Sequence, residues 1–199
     1  MFTKVITKSR IHVCLLGLLL GISGAANATF HLFQISKLYS NADGTVQFIE
    51  LSALSGQQQF ITGHVIISAH TGDTTRTFTF RNDLPGDTSN RSFLIGTQGF
   101  AALNVVAPDF IVPNGFLFTA GGLVSYGEGA DNFNYASLPT SGGLMLNRSG
   151  TTSANVAKNF SGATGSVAAA AADYTGAWYN ASESGGGCRS SADKAGPTA

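Results

Sequence analysis

The cluster Ser40-Asn41-Ala42-Asp43-Gly44 separates two runs that suit a pleated surface, residues 30–39 and 45–51. Asn, Asp and Gly supply left-handed backbone angles and side-chain-to-backbone bonds, so the cluster reads as a tight turn. The runs beside it are rich in β-branched and aromatic residues, and the three pieces together predict an antiparallel hairpin that the rest of the chain builds upon. A second local signal agrees. Arg76-Thr77-Phe78-Thr79-Phe80-Arg81 alternates with period two, which places Phe78 and Phe80 on one face of a half-buried strand and the threonines on the other.

Further strand-like runs recur along the chain, spaced by turn clusters at about 8–12 residues, the interval of a β-sandwich. Residues 60–70 predict a strand with a bulge at Gly63, and residues 91–97 another. Residues 99–106 predict one short helical turn, ended by Pro108. Pro113-Asn114-Gly115 predicts a hairpin between residues 110–112 and 116–119, because Asn-Gly is a strong hairpin signal. Residues 123–126 and 133–138 add extended pieces, and residues 144–148 the last strand.

The two ends are of different composition. Lys4, Lys8 and Arg10 precede an apolar run, residues 11–22, and Ala26-Asn27-Ala28 closes it with small residues, the three parts of a secretory signal peptide over residues 1–28. The apolar run is shorter than the about 18–20 residues of a membrane span. Residues 29–148 are then the β-sandwich domain, residues 149–181 a Gly/Ala/Ser-rich extension with room for one more strand near Trp178 and Tyr179, and residues 182–199 a tail with nothing apolar to bury. The expected location is secreted or periplasmic, with no membrane span once the leader is removed.

Charge excludes one class of partner. The leader holds three of the eleven basic residues and none of the eleven acidic ones, leaving eight against eleven, a formal −3. The remaining Lys and Arg are scattered singly, whereas nucleic-acid binding wants them clustered. Charged residues make up 11% of the chain against a usual ~25%, and 25 of 199 residues are glycine, a balance that fits a β-rich extracellular domain. One cysteine, Cys188, remains after the leader, so no disulfide closes within the chain, and a bond between chains through Cys188 is the pairing left open.

The candidate chemistry is sparse. Glu50 reads as a rim carboxylate that accepts hydrogen bonds, sharing its strand face with Phe48. His64 and His70, six residues apart on one strand, stand about 20 Å from each other and share no ion. No cofactor is called for, and calcium is the one metal left open, through Glu128, Asp131 and Asn134 in a glycine-flanked loop that departs from EF-hand spacing. No serine sits in a nucleophile-elbow pattern. Binding contacts are expected on two loops, through Asn82, Asp83 and Asp87 in one and Glu128, Asp131 and Asn132 in the other, because rigid β scaffolds present function on loops. Tyr39, Tyr126, Tyr135, Trp178 and Tyr179 fall at no regular spacing and read as core-edge rings in preference to a sugar platform.

Ile35-Ser36-Lys37-Leu38-Tyr39, the Asp43-Gly44 turn, Gln47-Phe48-Ile49-Glu50-Leu51 and Ile61-Thr62-Gly63-His64-Val65 follow one another in an order that resembles the lamin-tail type of domain found in bacterial exported proteins. The chain also resembles bacterial exported proteins that share the segment Pro108-Asp109-Phe110. The resemblance implies an immunoglobulin-like antiparallel β-sandwich acting as a non-catalytic module toward a protein or glycan at the cell surface or outside the cell. The rivals are an extracytoplasmic hydrolase with Glu50 or Asp109 in a cleft, and a matrix component joined through Cys188.

Overall fold

The computed structural model describes residues 32–70, 72 and 74–167. The leader, the strand expected near Trp178 and Tyr179, the tail with Cys188, and the flanks of Gly72 in the turn after His70 lie outside the described residues. In chain order the elements are β1 (Phe33–Ser40), β2 (Gln47–Ala53), β3 (Val65–Ala69), β4 (Thr75–Thr79), β5 (Ser92–Thr97), the short helix α1 (Gln98–Ala102), β6 (Phe110–Val112), β7 (Gly122–Tyr126), β8 (Asp131–Tyr135) and β9 (Leu144–Asn147). Three short strands follow, β10 (Thr152–Ala154), β11 (Ala157–Lys158) and β12 (Thr164–Gly165). The fold is all-β.

The expected opening hairpin is present. β1 and β2 pair antiparallel from Phe33↔Ala53 to Ser40↔Gln47, with the one register shift between Ile35 and Lys37. The turn is held by its own side chains: Asn41 Oδ1 accepts from the Val46 amide at 3.0 Å and Asp43 Oδ1 from the Thr45 amide at 2.9 Å, while Gly44 takes φ +74°. Around this pair a six-stranded sheet forms in the order β10-β9-β1-β2-β5-β6, and a four-stranded sheet has the order β4-β3-β7-β8.

Both sheets turn one face to a shared apolar core. Phe93 on β5 meets Phe33 edge-on at 5.0 Å and Phe80 at 5.9 Å, and Phe33 meets Tyr126 of β7 at 5.7 Å. Phe80 is buried and Phe78 packs against the same cluster, as the alternation around them predicts. The six-stranded sheet is covered on its other face too. There Tyr39, Phe48, Leu94, Phe100 and Met145 form a second cluster closed by Ala157. Burial on both sides explains why β5 has no exposed residue.

Four expectations are corrected. The strand of residues 60–70 starts only at Val65, because Asp83 takes the amide and hydroxyl of Thr62 at 2.8 and 2.6 Å and bends the chain into a turn at Gly63, φ +88°; the bulge lies in β1 instead. Residues 110–112 and 116–119 form no hairpin. β6 runs parallel to β5 after the α1 crossover, and the Gly115 amide bonds to Gly44 O at 2.8 Å. Leu117 gives both backbone groups to the Gln47 side chain, at 2.8 and 2.9 Å, so that stretch has no ladder left to join. The sheets are therefore antiparallel apart from the β5–β6 pair. Finally, β9 is not the last strand: β10 extends its sheet, and β11 and β12 form a hairpin of their own. Among the described residues no helix is long and apolar enough to cross a membrane.

Candidate functional site

The loop that carries Asn82, Asp83 and Asp87 is pinned from beneath. Asp83 holds Thr62, and Asp87 accepts from the Gln57 amide at 2.7 Å and the Ser89 amide at 3.4 Å. Thr88, fully buried, accepts from the Gln58 amide at 3.0 Å and donates to Ser55 O at 2.9 Å. Gly56 makes this approach feasible, since a Cβ there would come within 2.3 Å of Ser89 Oγ. The bonds depress both carboxyls below their ordinary value, Asp83 chiefly through the Thr62 hydroxyl and Asp87 chiefly through that of Ser89. Asn82 is exposed.

Opposite this loop the chain places residues that the sequence reading left apart. A groove of about 470 Å³ is lined by Asp87, Ser89 and Arg91 from the loop side and by Asp109, Phe160 and Ser161 from the other. Arg91 donates to Phe160 O at 2.8 Å with its guanidinium 5.1 Å from the Phe160 ring. Asp109 Oδ2 accepts from the amides of Leu94 and Phe160 at 2.8 and 2.9 Å, so one carboxylate ties the β5 strand to the C-terminal hairpin. Burial pushes the Asp109 carboxyl up, and the two amides oppose that shift. Arg91, Phe160 and Ser161 were not among the expected contacts. The one available signal was Phe160, a large apolar residue in an otherwise Gly/Ser/Asn-rich stretch.

The second expected loop divides. Asp131 opens β8 on the core side, where Arg148 grips both its oxygens at 2.8 Å and the Ile35 amide donates to Oδ2 at 2.8 Å. Asn132 and Asn134 alternate to the opposite face, exposed, and Glu128 sits in the preceding turn, 3.2 Å from His64 Nδ1. Glu128, Asp131 and Asn134 are thus not brought together as a calcium set. Among the described residues no three His, Cys, Asp or Glu side chains gather as metal ligands.

Glu50 accepts hydrogen bonds as expected, but not at a rim. It is 3% exposed, with Lys37 Nζ and the Lys158 amide each 3.0 Å from Oε2, because the hairpin of β11 and β12 covers it. His64 and His70 flank β3 at its two ends. Tyr39, Tyr126 and Tyr135 are buried and form no platform; Trp178 and Tyr179 lie outside the described residues.

The outer face of the four-stranded sheet has a chemistry of its own. Register aligns Thr77, Ile67, Ser125 and Asn132 in one row across β4, β3, β7 and β8, and Thr75, Ala69, Leu123 and Asn134 in the next. Neither row contains a charge. At one end His70 stacks on Phe118, ring centroids 5.4 Å apart, with Nδ1 2.6 Å from Gly121 O. A groove of about 500 Å³ opens there, lined by Ala69, His70, Leu123, Asn134, Tyr135 and Ala136.

No protein-family model matches this chain, and no curated protein matches it.

Proposed function

We propose that the chain is an exported, non-catalytic module, an immunoglobulin-like β-sandwich of the lamin-tail type, that binds a protein or glycan in the periplasm or outside the cell through the Asp87–Arg91–Asp109 groove. The single observation that carries this reading is that the groove's polar groups are held by backbone bonds from three separate segments, a pre-organised set that loses little freedom when a ligand arrives. The two sheets with one shared core supply the rigid scaffold for such loops. The sparse, dispersed charge and the leader-like N-terminus fit a place outside the cytoplasm.

The test is binding of labelled parent protein and the Arg91→Ala and Asp87→Ala variants to intact bacterial cells, read by flow cytometry before and after periodate oxidation of surface glycans. Binding that both variants lose, with unchanged circular dichroism, supports the module, and periodate sensitivity assigns a glycan over a protein. Equal binding by parent and variants overturns it.

One observation favours the hydrolase reading as the alternative. Asp87 and Asp109 line the same groove with carboxyls pushed in opposite directions, the pattern of an acid and base pair. Release of reducing sugar or peptide ends that Asp109→Asn abolishes would establish it over simple binding.

A further inference from the structure

We propose that the four-stranded sheet takes a fifth strand beside β8, and that this strand is the segment of residues 173–179 of the same chain. The inference is independent of the Asp87–Arg91–Asp109 groove.

The ladder fixes which backbone groups β8 has left over. The Phe80 amide donates to His64 O and the Gly127 amide to Val65 O, so even-numbered residues of β3 turn their backbone to β4 and odd-numbered ones to β7. Carried across the register, Tyr126, Val124 and Gly122 turn theirs to Asp131, Phe133 and Tyr135. The N–H and C=O groups of Asn132 and Asn134 therefore point away from β7, and among the described residues no strand meets them. Lys, Pro and bulges, which commonly close an exposed edge, do not occur in β8.

The facing sheet supplies a floor. β8 lies over β1, where Asp131 accepts from the Ile35 amide at 2.8 Å, and β9 and β10 continue the larger sheet past it. Leu146 belongs to the main core and Met145 to the second cluster, so Leu144 and Leu146 turn to the core side, with Ala154 and Thr152 beside them in register. Leu144 is 39% exposed there, and Thr152 and Ala154 are exposed too. A groove of about 440 Å³ runs along this step, and Phe133, Asn134, Leu138, Leu146 and Thr152 are among its walls. An unpaired backbone edge beside an apolar floor suits an extended strand, which bonds through its main chain and buries alternate side chains.

The chain itself delivers that strand. The Val167 amide donates to Asn155 Oδ1 at 2.9 Å, and Asn155 directly follows β10, so the described fold ends beside the strand that rims the groove. Residues 168–172 are five alanines, a reach of about 17 Å against the ~10 Å between packed sheets. Asp173-Tyr174-Thr175-Gly176-Ala177-Trp178-Tyr179 then alternates, so that an extended backbone sets Tyr174, Gly176 and Trp178 on one side. Two rings spaced by a glycine match a floor of two leucines. The short tether raises the effective concentration to the millimolar range, so foreign strands compete poorly for the edge.

Trp178 is the only tryptophan, and its fluorescence in the full chain reads the site directly. The expected emission is blue-shifted, with acrylamide quenching several-fold weaker than in urea. Leu144→Asp, which sets a charge on the floor, should shift the emission red and restore urea-like quenching, and Arg91→Ala should change neither. Hydrogen exchange at the Asn132 and Asn134 amides should be at least tenfold slower in the parent than in Leu144→Asp. Circular dichroism and melting curves check the fold, with Ala154→Lys replacing Leu144→Asp if that variant unfolds. Quenching of the parent as strong as in urea overturns the proposal, and so does shielding that the floor variant leaves in place. Shielding lost on dilution, together with a dimer in gel filtration, overturns it in favour of the same segment from a second copy.

Discussion

Lys37 Nζ lies 3.0 Å from Glu50 Oε2 on the adjacent strand, and the amide of Lys158, 108 positions after Glu50, completes the carboxylate's partners from above. The Glu50 side chain is only 4% exposed, and Lys37 is the cation that pairs with it. Lys37→Met should cost about 3 kcal/mol in urea denaturation, because it leaves a buried carboxylate without its counter-ion. The double variant Lys37→Met with Glu50→Leu should recover most of that loss. A single variant as stable as the parent would show that the Lys158 amide bond alone suffices.

Asp109 makes a prediction about pH. Its folded carboxyl is raised by burial, so whatever stability its protonation brings is fully present below the ordinary carboxylate value and is lost as pH rises through the raised one. Asp109→Asn keeps an acceptor for Leu94 and Phe160 while removing the desolvated charge. At neutral pH the variant should melt no lower than the parent, and any advantage should shrink as pH falls toward about 4. Asp43, Asp83 and Asp87 have lowered carboxyls, whose contribution fades in acid, but they are common to both proteins and cancel. A parent that outlasts Asp109→Asn at pH 7 would refute this.

Two glycines should rank differently. Gly121 has φ +107° and an added Cβ would stand 2.3 Å from Ala136 O, whereas Gly63, φ +88°, has nothing within 4 Å of that position. Alanine at Gly63 should cost about 1 kcal/mol of backbone strain. Alanine at Gly121 should cost about 3 kcal/mol or more, since strain and a backbone clash combine there. Thermal melts of the two variants give the order directly.

The Arg148–Asp131 fork leads to a metal test. With both Asp131 oxygens taken by one guanidinium, adding calcium or a chelator should leave the melting midpoint of the parent unchanged. Asp131→Asn should lower stability by about 2 kcal/mol through the lost charge-assisted bonds. A calcium-dependent rise above about 2 °C in the parent would contradict the arrangement.

The parts of the fold that were legible in the sequence are those held by neighbours in the chain. The β1–β2 hairpin, the Phe78/Phe80 alternation and the helical turn before Pro108 all depend on contacts within a few residues, and local composition reports them. The Asn114-Gly115 turn was visible too, but its destination was not, because the competing bonds come from Gln47 and Gly44, about seventy residues away in sequence. Glu50 could be assigned to a face, but no local pattern indicates that a hairpin built from Ala157, Lys158 and Phe160 will close over it. The groove suffered the same way. Asp87 was legible as a loop acid, while Phe160 reaches it only through bonds to Arg91 and Asp109.

The hairpin of residues 157–165 also sets an order of assembly. A chain emerging from its N-terminus can close the β1–β2 pair early, yet the cluster of Tyr39, Phe48, Leu94, Phe100 and Met145 is closed only once synthesis has passed Ala157. Ribosome-bound or truncated forms ending before that residue would present an open apolar sheet face, the kind of surface that chaperones bind and that nascent chains lose to one another.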